Sequence, residues 1–350
     1  MAPLVTIGIA TFDRLHYLKE SVESALAQTY DNIEVIIGDD GTNYSIQQWG
    51  NKLAGQDERA RYQHNSHNLG LAGNWNAIAD AAHGEFIVII GDDDRLLPGF
   101  VRKMVDVILP DFQVAFSNHY LIDTKGDRLQ AKSVEHTRNY RRDTLPPGEL
   151  ANAAASVWQN LVPMSAALVR TEVIRRLRFR EDLNTPETEL FVRLAQEGGR
   201  FIFVPDYLSE YRVHSQSQTS AGLYSERLAE YLLPISVAPD VEPFKREFIG
   251  PLLVNAVSRC LQNGERESAR RFLRSEYYPR PRLRIAKPTY KTNGTKVQVE
   301  GLRSASAAIE LKYVISCLVQ EACTRLPAFM GRPIYRAIQR IKSAFESLIR

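Results

Sequence analysis

Three cysteines among 350 residues, Cys260, Cys317 and Cys323, are too few and too scattered for a disulfide framework or a paired thiolate metal site. That usage points to a reducing compartment, so a cytoplasmic location is expected. No apolar run approaches the roughly 20 residues that a bilayer span requires. The opening residues lack a basic lead and run straight into a strand-like segment, which does not read as a signal peptide. A soluble or peripheral protein is therefore expected. Charge of one sign is also scarce. A net +3 gives no general attraction for nucleic acid, and no nucleic-acid partner is expected. With 44% hydrophobic and 24% charged residues, what remains is an ordinary globular mixture.

The first half alternates between two periodicities. Residues 4–9 form a short β-branched run, and 17–28 follow with apolar residues at helical spacing. A second buried run, 33–37, stops at Gly38-Asp39-Asp40-Gly41. Residues 45–53 then read as helix, the surroundings of Tyr62 as a weak strand, and 74–82 as helix. The strongest strand, 86–90, stops at Gly91-Asp92-Asp93-Asp94, and Pro98 opens a further helix. Continuous apolar strands alternating with helices predict an α/β fold, a mostly parallel sheet with helices on both faces. Later signals are weaker: strands at 112–118 and 201–204, a turn at 123–127 and a helix at 187–196. Beyond about residue 220 the pattern is mainly helical, dividing the chain into residues 1–220 and a helical extension, 221–350. Within the extension, the Arg-rich, Pro-punctuated stretch 270–291 reads as a linker or surface crossing.

Open sheets of this kind bind ligands beyond the carboxyl ends of their strands, and here the two best strands both end in acidic turns. Asp92, Asp93 and Asp94 repel one another unless a cation or solvent offsets them. A hard ion such as Mg²⁺ or Mn²⁺ suits such a turn and takes further oxygens from phosphate and water. The competing reading is a solvated turn capping the next helix. Asp39 and Asp40 can accept hydrogen bonds from a base or ribose, or simply belong to an Asp-Gly turn. Thr11 and Asp13 lie at the same sheet edge, where Asp13 is also a candidate helix N-cap. The stretch from Asn68 to Asn76 offers glycines for close backbone approach and amides for polar contacts, or a glycine-containing helix start.

Thr6 to Arg14, Ser24 to Tyr30, Asn32 to Ile37, Asp39 to Thr42, Asn68 to Asn76 and the acidic turn follow one another in order. Over about residues 3–215 this set resembles family 2 glycosyltransferases, which have the Rossmann-like GT-A fold and use nucleotide sugars. The resemblance places Thr11 and Asp13 beside the nucleotide, and Asp40, with Asp39 second, near the base or ribose. Its metal carboxylate aligns with Asp93. Asp92 then faces the ribose or a metal-bound water, and Asp94 supports the site. Gly91 stands where many members have Asp, so the second carboxylate is either Asp92 or Asp94. Alignment on the helix after Pro186 puts Glu187 at the usual general-base position, normally Asp, with Glu189 two places on. An inverting transfer needs such a carboxylate to take the acceptor hydroxyl's proton. A Glu pair at a helix N-terminus can equally be structural. His214, in Tyr211-Arg212-Val213-His214, matches a family His near the diphosphate or metal.

These implications predict an inverting transferase that adds a single sugar, using Mn²⁺ or Mg²⁺. A UDP-sugar is the first choice of donor, with GDP- and dTDP-sugars open. The expected acceptor is a glycan or lipid-linked glycan in cell-envelope polysaccharide, O-antigen or glycolipid assembly. The sequence lacks the Gln-x-x-Arg-Trp motif and membrane spans of a processive synthase. Two rivals remain: a sugar-phosphate nucleotidyltransferase, whose Gly-rich basic phosphate loop is missing, and a degenerate glycan- or partner-binding module. Residues 333–350 place Ile334, Ile338, Ile341, Phe345 and Leu348 on one helical stripe, with Arg332, Arg336 and Arg340 off it. Such a helix can lie on anionic lipid at the inner face of the cell membrane, meet a second copy, or pack on its own core.

Overall fold

The computed structural model describes residues 2–214 and 225–279. They fall into two compact units, one within Met1–Tyr224 and Ser236–Lys245, the other within Ser225–Ile235 and Arg246–Arg350. The first unit runs β1 (Val5–Thr11), α1 (Leu15–Leu26), β2 (Ile33–Asp39), α2 (Tyr44–Ala54), β3 (Ala60–His64), α3 (Gly70–Ala81) and β4 (Phe86–Gly91). It continues with β5 (Arg95–Leu96), α4 (Phe100–Val107), β6 (Val114–Ile122), α5 (Gln130–Asn139), β7 (Gly148–Glu149) and α6 (Ala153–Trp158). A short 3₁₀ turn at Met164–Ala166 leads into β8 (Ala167–Arg170), α7 (Thr171–Leu177), α8 (Pro186–Gln196) and β9 (Phe201–Arg212).

The strands form one sheet in the order β3-β2-β1-β4-β8-β6-β9-β5, with β7 also beside β9. Strands β3, β2, β1 and β4 are parallel, β8 runs antiparallel between β4 and β6, and β6 is parallel to β9. This is the mostly parallel, helix-flanked sheet expected from the sequence. Every residue of β1 and β2 is buried, as a strand covered on both faces requires. Glycine lets α3 lie directly on these strands: a Cβ on Gly8 would stand 2.5 Å from Ile78 Cγ2, and one on Gly38 would stand 2.6 Å from Ile78 Cγ1.

Several boundaries differ from the sequence reading, each through a long-range contact. Helix α3 begins four residues before Asn74 because the Asp40 carboxylate accepts the Leu69 and Gly70 backbone N–H groups, capping it from a neighbouring strand. Strand β9 continues past Val204 to Arg212, held by β6 on one side and β5 on the other. Asp13 does not cap α1. Its backbone is left-handed, with φ 60°, and its carboxylate accepts the Thr42 and Asn43 N–H groups before α2.

The second unit is helical, with α9 (Ser225–Leu232), α10 (Glu242–Asn263) and α11 (Arg266–Arg274). Arg270 to Arg274 therefore belong to a helix rather than to a linker. The sequence-predicted amphipathic stretch 333–350 lies outside the described residues. Among the described residues, no helix is long and apolar enough to cross a membrane.

Candidate active site

Register alone brings three loops together. Thr11 pairs with Asp39 across β1 and β2, and Ala10 pairs with Gly91 across β1 and β4. The turns after β1, β2 and β4 therefore leave the sheet side by side. A cavity of about 510 Å³ opens there, lined among others by Thr11, Asp40, Asn68, Asp93, Asp94 and Glu187. That volume lies in the usual range for small-molecule sites. Two buried side-chain donors or acceptors on its lining, Trp75 Nε1 and His119 Nδ1, have no partner among the described residues. Polar atoms buried in this way are normally satisfied, so both suit a polar ligand.

The acidic turn is not a solvated cap: Asp92 and Asp94 are both buried. The Asp92 carboxylate accepts from Thr11 Oγ1 at 2.7 Å and forms a close ion pair with Arg14. Burial pushes its carboxyl up to about 6, against the pull of Arg14. Asp94 accepts the Arg212 N–H at 3.0 Å, and burial followed by the charge of Asp93 holds it well above the usual carboxylate range. Asp93 points to the cavity and meets Arg14 Nη1 at 2.9 Å and His214 Nε2 at 2.7 Å. Gly91 makes this possible, because a Cβ there would stand 2.5 Å from Asp93 Oδ1. An Asp at that place, as the resemblance would have it, would displace Asp93 from its present position.

Among the described residues, no three His, Cys, Asp or Glu side chains converge as a complete metal cage. Asp93, on the cavity lining, and His214, which is not part of that lining, nevertheless offer an oxygen and a nitrogen in direct contact. Two protein donors fit an ion of the Mg²⁺ or Mn²⁺ kind, which completes its shell with phosphate and water. Binding would require His214 Nε2 to give up its proton.

Asp39 is the last residue of β2 and Asp40 the first of the turn, and their side chains part there. Asp40 lines the cavity and holds Asn65, Leu69 and Gly70, whereas Asp39 turns away to the Tyr62 hydroxyl at 2.6 Å and the Gly41 N–H. On α3 two residues span about half a turn, so Asn74 lines the cavity and Asn76 turns away from it. Asn68 lines the cavity, while Asn76 is buried and exchanges hydrogen bonds with the Phe179 backbone, pinning α3 to the segment before α8. Neither Asp39, Asp13, Asp92 nor Asn76 lines the cavity.

Glu187 and Glu189 also part company. Glu189 is buried and clamped by both Arg193 Nε and Nη2 at 2.7 Å. Glu187 lines the cavity, has no side-chain partner among the described residues, and is pushed by burial up to about 7. Sequence reasoning passed over two cations. Arg14 spans Asp92 and Asp93. Arg212, wholly buried, reaches Glu20 at 2.6 Å, the Asp93, Asp123 and Thr124 carbonyls, and the face of Tyr17. Three clustered carboxylates imply nearby cations, and that signal would have pointed to both.

Known proteins match this architecture. Residues 6–166 match the model of glycosyl transferase family 2. The glycosyltransferase GlyG of Streptococcus pneumoniae is 24% identical over 222 residues, 62% of this chain and 73% of GlyG. The Campylobacter jejuni GalNAc(5)-diNAcBac-PP-undecaprenol beta-1,3-glucosyltransferase is 23% identical over 244 residues, 69% of this chain and 74% of that protein. Among solved structures, Staphylococcus aureus TarS 1–349 with UDP-GlcNAc superposes at a TM-score of 0.56 with 15% identity, covering 76% of this chain and 82% of TarS 1–349. The mannosyltransferase PcManGT of Pyrobaculum calidifontis, with GDP-Man and Mn²⁺, also gives 0.56 at 15% identity, covering 99% of this chain and 88% of its own. The sheet, the three-turn edge and the family model agree, and over residues 6–166 the chain matches glycosyl transferase family 2.

Proposed function

We propose that the chain transfers one sugar from a nucleotide sugar, a UDP-sugar first, to a glycan or lipid-linked acceptor with inversion at the anomeric carbon. The observation that supports this best is Glu187. It is the carboxylate on α8 that lines the cavity without a cationic partner, and its raised value suits proton abstraction near neutral pH. In the proposed step the acceptor hydroxyl gives its proton to the Glu187 carboxylate. Its oxygen forms the new bond to the anomeric carbon as the bond to the diphosphate breaks, and the nucleoside diphosphate leaves. Glu189 is assigned to holding α8, because Arg193 occupies both of its oxygens.

For the donor, Asp40, Asn68 and Thr11 are assigned to the nucleoside side, and Asp93 with His214 to the diphosphate side. A divalent cation bound by Asp93 and His214 would neutralise charge on the leaving group. Arg14, already against Asp93, supplies fixed positive charge at the same place. A nucleotide-sugar donor and a divalent ion are supported by the structural neighbours, since TarS binds UDP-GlcNAc and PcManGT binds GDP-Man and Mn²⁺. The undecaprenol-linked acceptor in the Campylobacter enzyme's name supports a lipid-linked glycan here.

The test is calorimetric titration with UDP, GDP and dTDP, each with and without Mn²⁺. One nucleotide is expected to bind with metal and to lose that dependence in Asp93→Ala. A folded protein that binds none of them would overturn the donor site. Metal-dependent UDP binding without turnover on any acceptor would instead favour a binding module.

A further inference from the structure

One part of the cavity wall, built by β6, α5 and the loop after α5, holds a charge that the transfer step does not use. Arg142 is 2% exposed yet lines the cavity. Its Nε donates to Asn118 Oδ1 at 3.1 Å, its Nη1 to the Leu161 carbonyl at 3.3 Å, and its Nη2 to His136 Nδ1 at 3.3 Å. None of these partners is a carboxylate. A buried guanidinium without a counter-ion is costly, and burial lowers Arg142 to about 10. A guanidinium has five N–H donors. Three are engaged, which leaves one on each terminal nitrogen, enough to meet two anionic oxygens.

The neighbours are arranged to donate rather than to neutralise. Because a guanidinium cannot accept, His136 Nδ1 must accept, and the proton of the neutral ring sits on Nε2. Burial followed by the charge of Arg142 holds His136 at about 4, so it adds no second charge. His119 is buried beside it, with ring centroids 4.8 Å apart and Nδ1 unpartnered. Tyr140 stacks near His136 at 4.7 Å, and Tyr211 lies 5.7 Å from His119. Opposite Ser117, Asn118 and His119 the register shifts because β9 carries the extra residues Pro205, Asp206 and Leu208. On β6 itself Asn118 grips Arg142, and the next residue, His119, lines the cavity.

We propose that Arg142, with His136 beside it, recognises a carboxylate or phosphate on a sugar substrate of this transferase, so that the enzyme selects an anionic sugar. The proposal rests on the transferase reading above. The acceptor is the favoured bearer of the charge. The Leu161 carbonyl that holds Arg142 follows Asn160, which accepts from Thr188 Oγ1 at 3.5 Å, and Thr188 is the neighbour of Glu187 on α8. Arg142 is thus tied to the segment that presents the proposed base.

The experiment compares binding of glucuronate, glucose 6-phosphate and glucose to the full chain by ligand-observed NMR. At least one charged sugar is expected to bind about tenfold or more tightly than glucose, the size of one charge-assisted hydrogen bond. Arg142→Met should erase that preference, and Arg142→Lys should keep part of it. If circular dichroism shows Arg142→Met unfolded, His136→Phe serves in its place and should weaken the preference several-fold. Equal binding of charged and neutral sugars overturns the proposal, as does a preference that survives in every folded variant. Repeating the titration with saturating UDP-glucose identifies the bearer: a preference that persists belongs to the acceptor, and one that vanishes belongs to the donor sugar. UDP affinity is read in the same samples. Failure there counts against the donor site, whereas a missing charge preference counts against Arg142 alone.

Discussion

The acidic turn and the wall formed by β6, α5 and the start of α8 face one cavity but treat charge in opposite ways. At the turn every carboxylate has fixed donors: Thr11 and Arg14 for Asp92, Arg14 and His214 for Asp93, and the Arg212 N–H for Asp94. On the wall, Glu187 and Arg142 have no charged partner at all among the described residues. The first arrangement fixes groups in position. On the proposed reading, the second leaves a proton acceptor and a cation whose complements arrive with a substrate. Groups meant to hold something in place and groups meant to react are thus told apart by their partners rather than by their type.

The most severe way to break this contrast is Glu187→Gln, expected to lower the transfer rate by roughly 10²- to 10⁴-fold. Initial rates against pH check the cause. In the parent they should rise through about 7 as Glu187 ionises and then level off. The sign for stability is the reverse. A carboxyl raised above its ordinary value stabilises the fold most at low pH, and that contribution is lost as pH rises through about 7. Glu187→Gln should therefore be the more heat-resistant protein at pH 9 but not at pH 5.

Next in size is Arg212→Met, which removes the buried cation from the turn. A loss of about 2–3 kcal/mol is expected in urea unfolding, since Glu20 and three carbonyls lose their donor. Gly91→Asp sharpens the comparison further by crowding Asp93 away from Arg14 and His214. About tenfold weaker metal-dependent nucleotide binding is expected by calorimetry, equivalent to roughly 1.4 kcal/mol. The smallest effect belongs to Glu189→Gln: about 1 kcal/mol of stability, with the transfer rate within about twofold of the parent. A Glu189→Gln enzyme that is inactive while Glu187→Gln is active would reverse the two assignments.

The parallel half of the sheet was legible because its signal is local. Residues 5–9, 33–37 and 86–90 are buried on both faces and mostly apolar, and the turns after them mark the edge where a ligand belongs. Side-chain direction was not legible from the motifs, but elementary geometry recovers part of it. Asn74 and Asn76, about half a turn apart on α3, are placed to face different ways. Spacing also held a clue to Glu189, whose partner Arg193 lies at i+4. Arg142 and Arg212 were invisible for a different reason. Glu20 lies 192 residues from Arg212, while Arg142 meets uncharged groups only 6 to 24 residues away, and no charge pattern in the sequence separates such buried arginines from solvated ones.

The capping of α3 has a consequence for any diphosphate that enters the cavity. Helix N-termini are ready-made anion sites, since their free N–H groups and dipole favour negative charge. Here that end is already occupied: Asp40 takes the Leu69 and Gly70 N–H groups, acting as a built-in anion. A phosphate arriving at this rim would meet a carboxylate instead of a ring of amides. If the proposed donor site is right, this rim serves as a nucleoside rest instead of a phosphate cradle, and the diphosphate's compensation falls to the region of Arg14, Asp93 and His214.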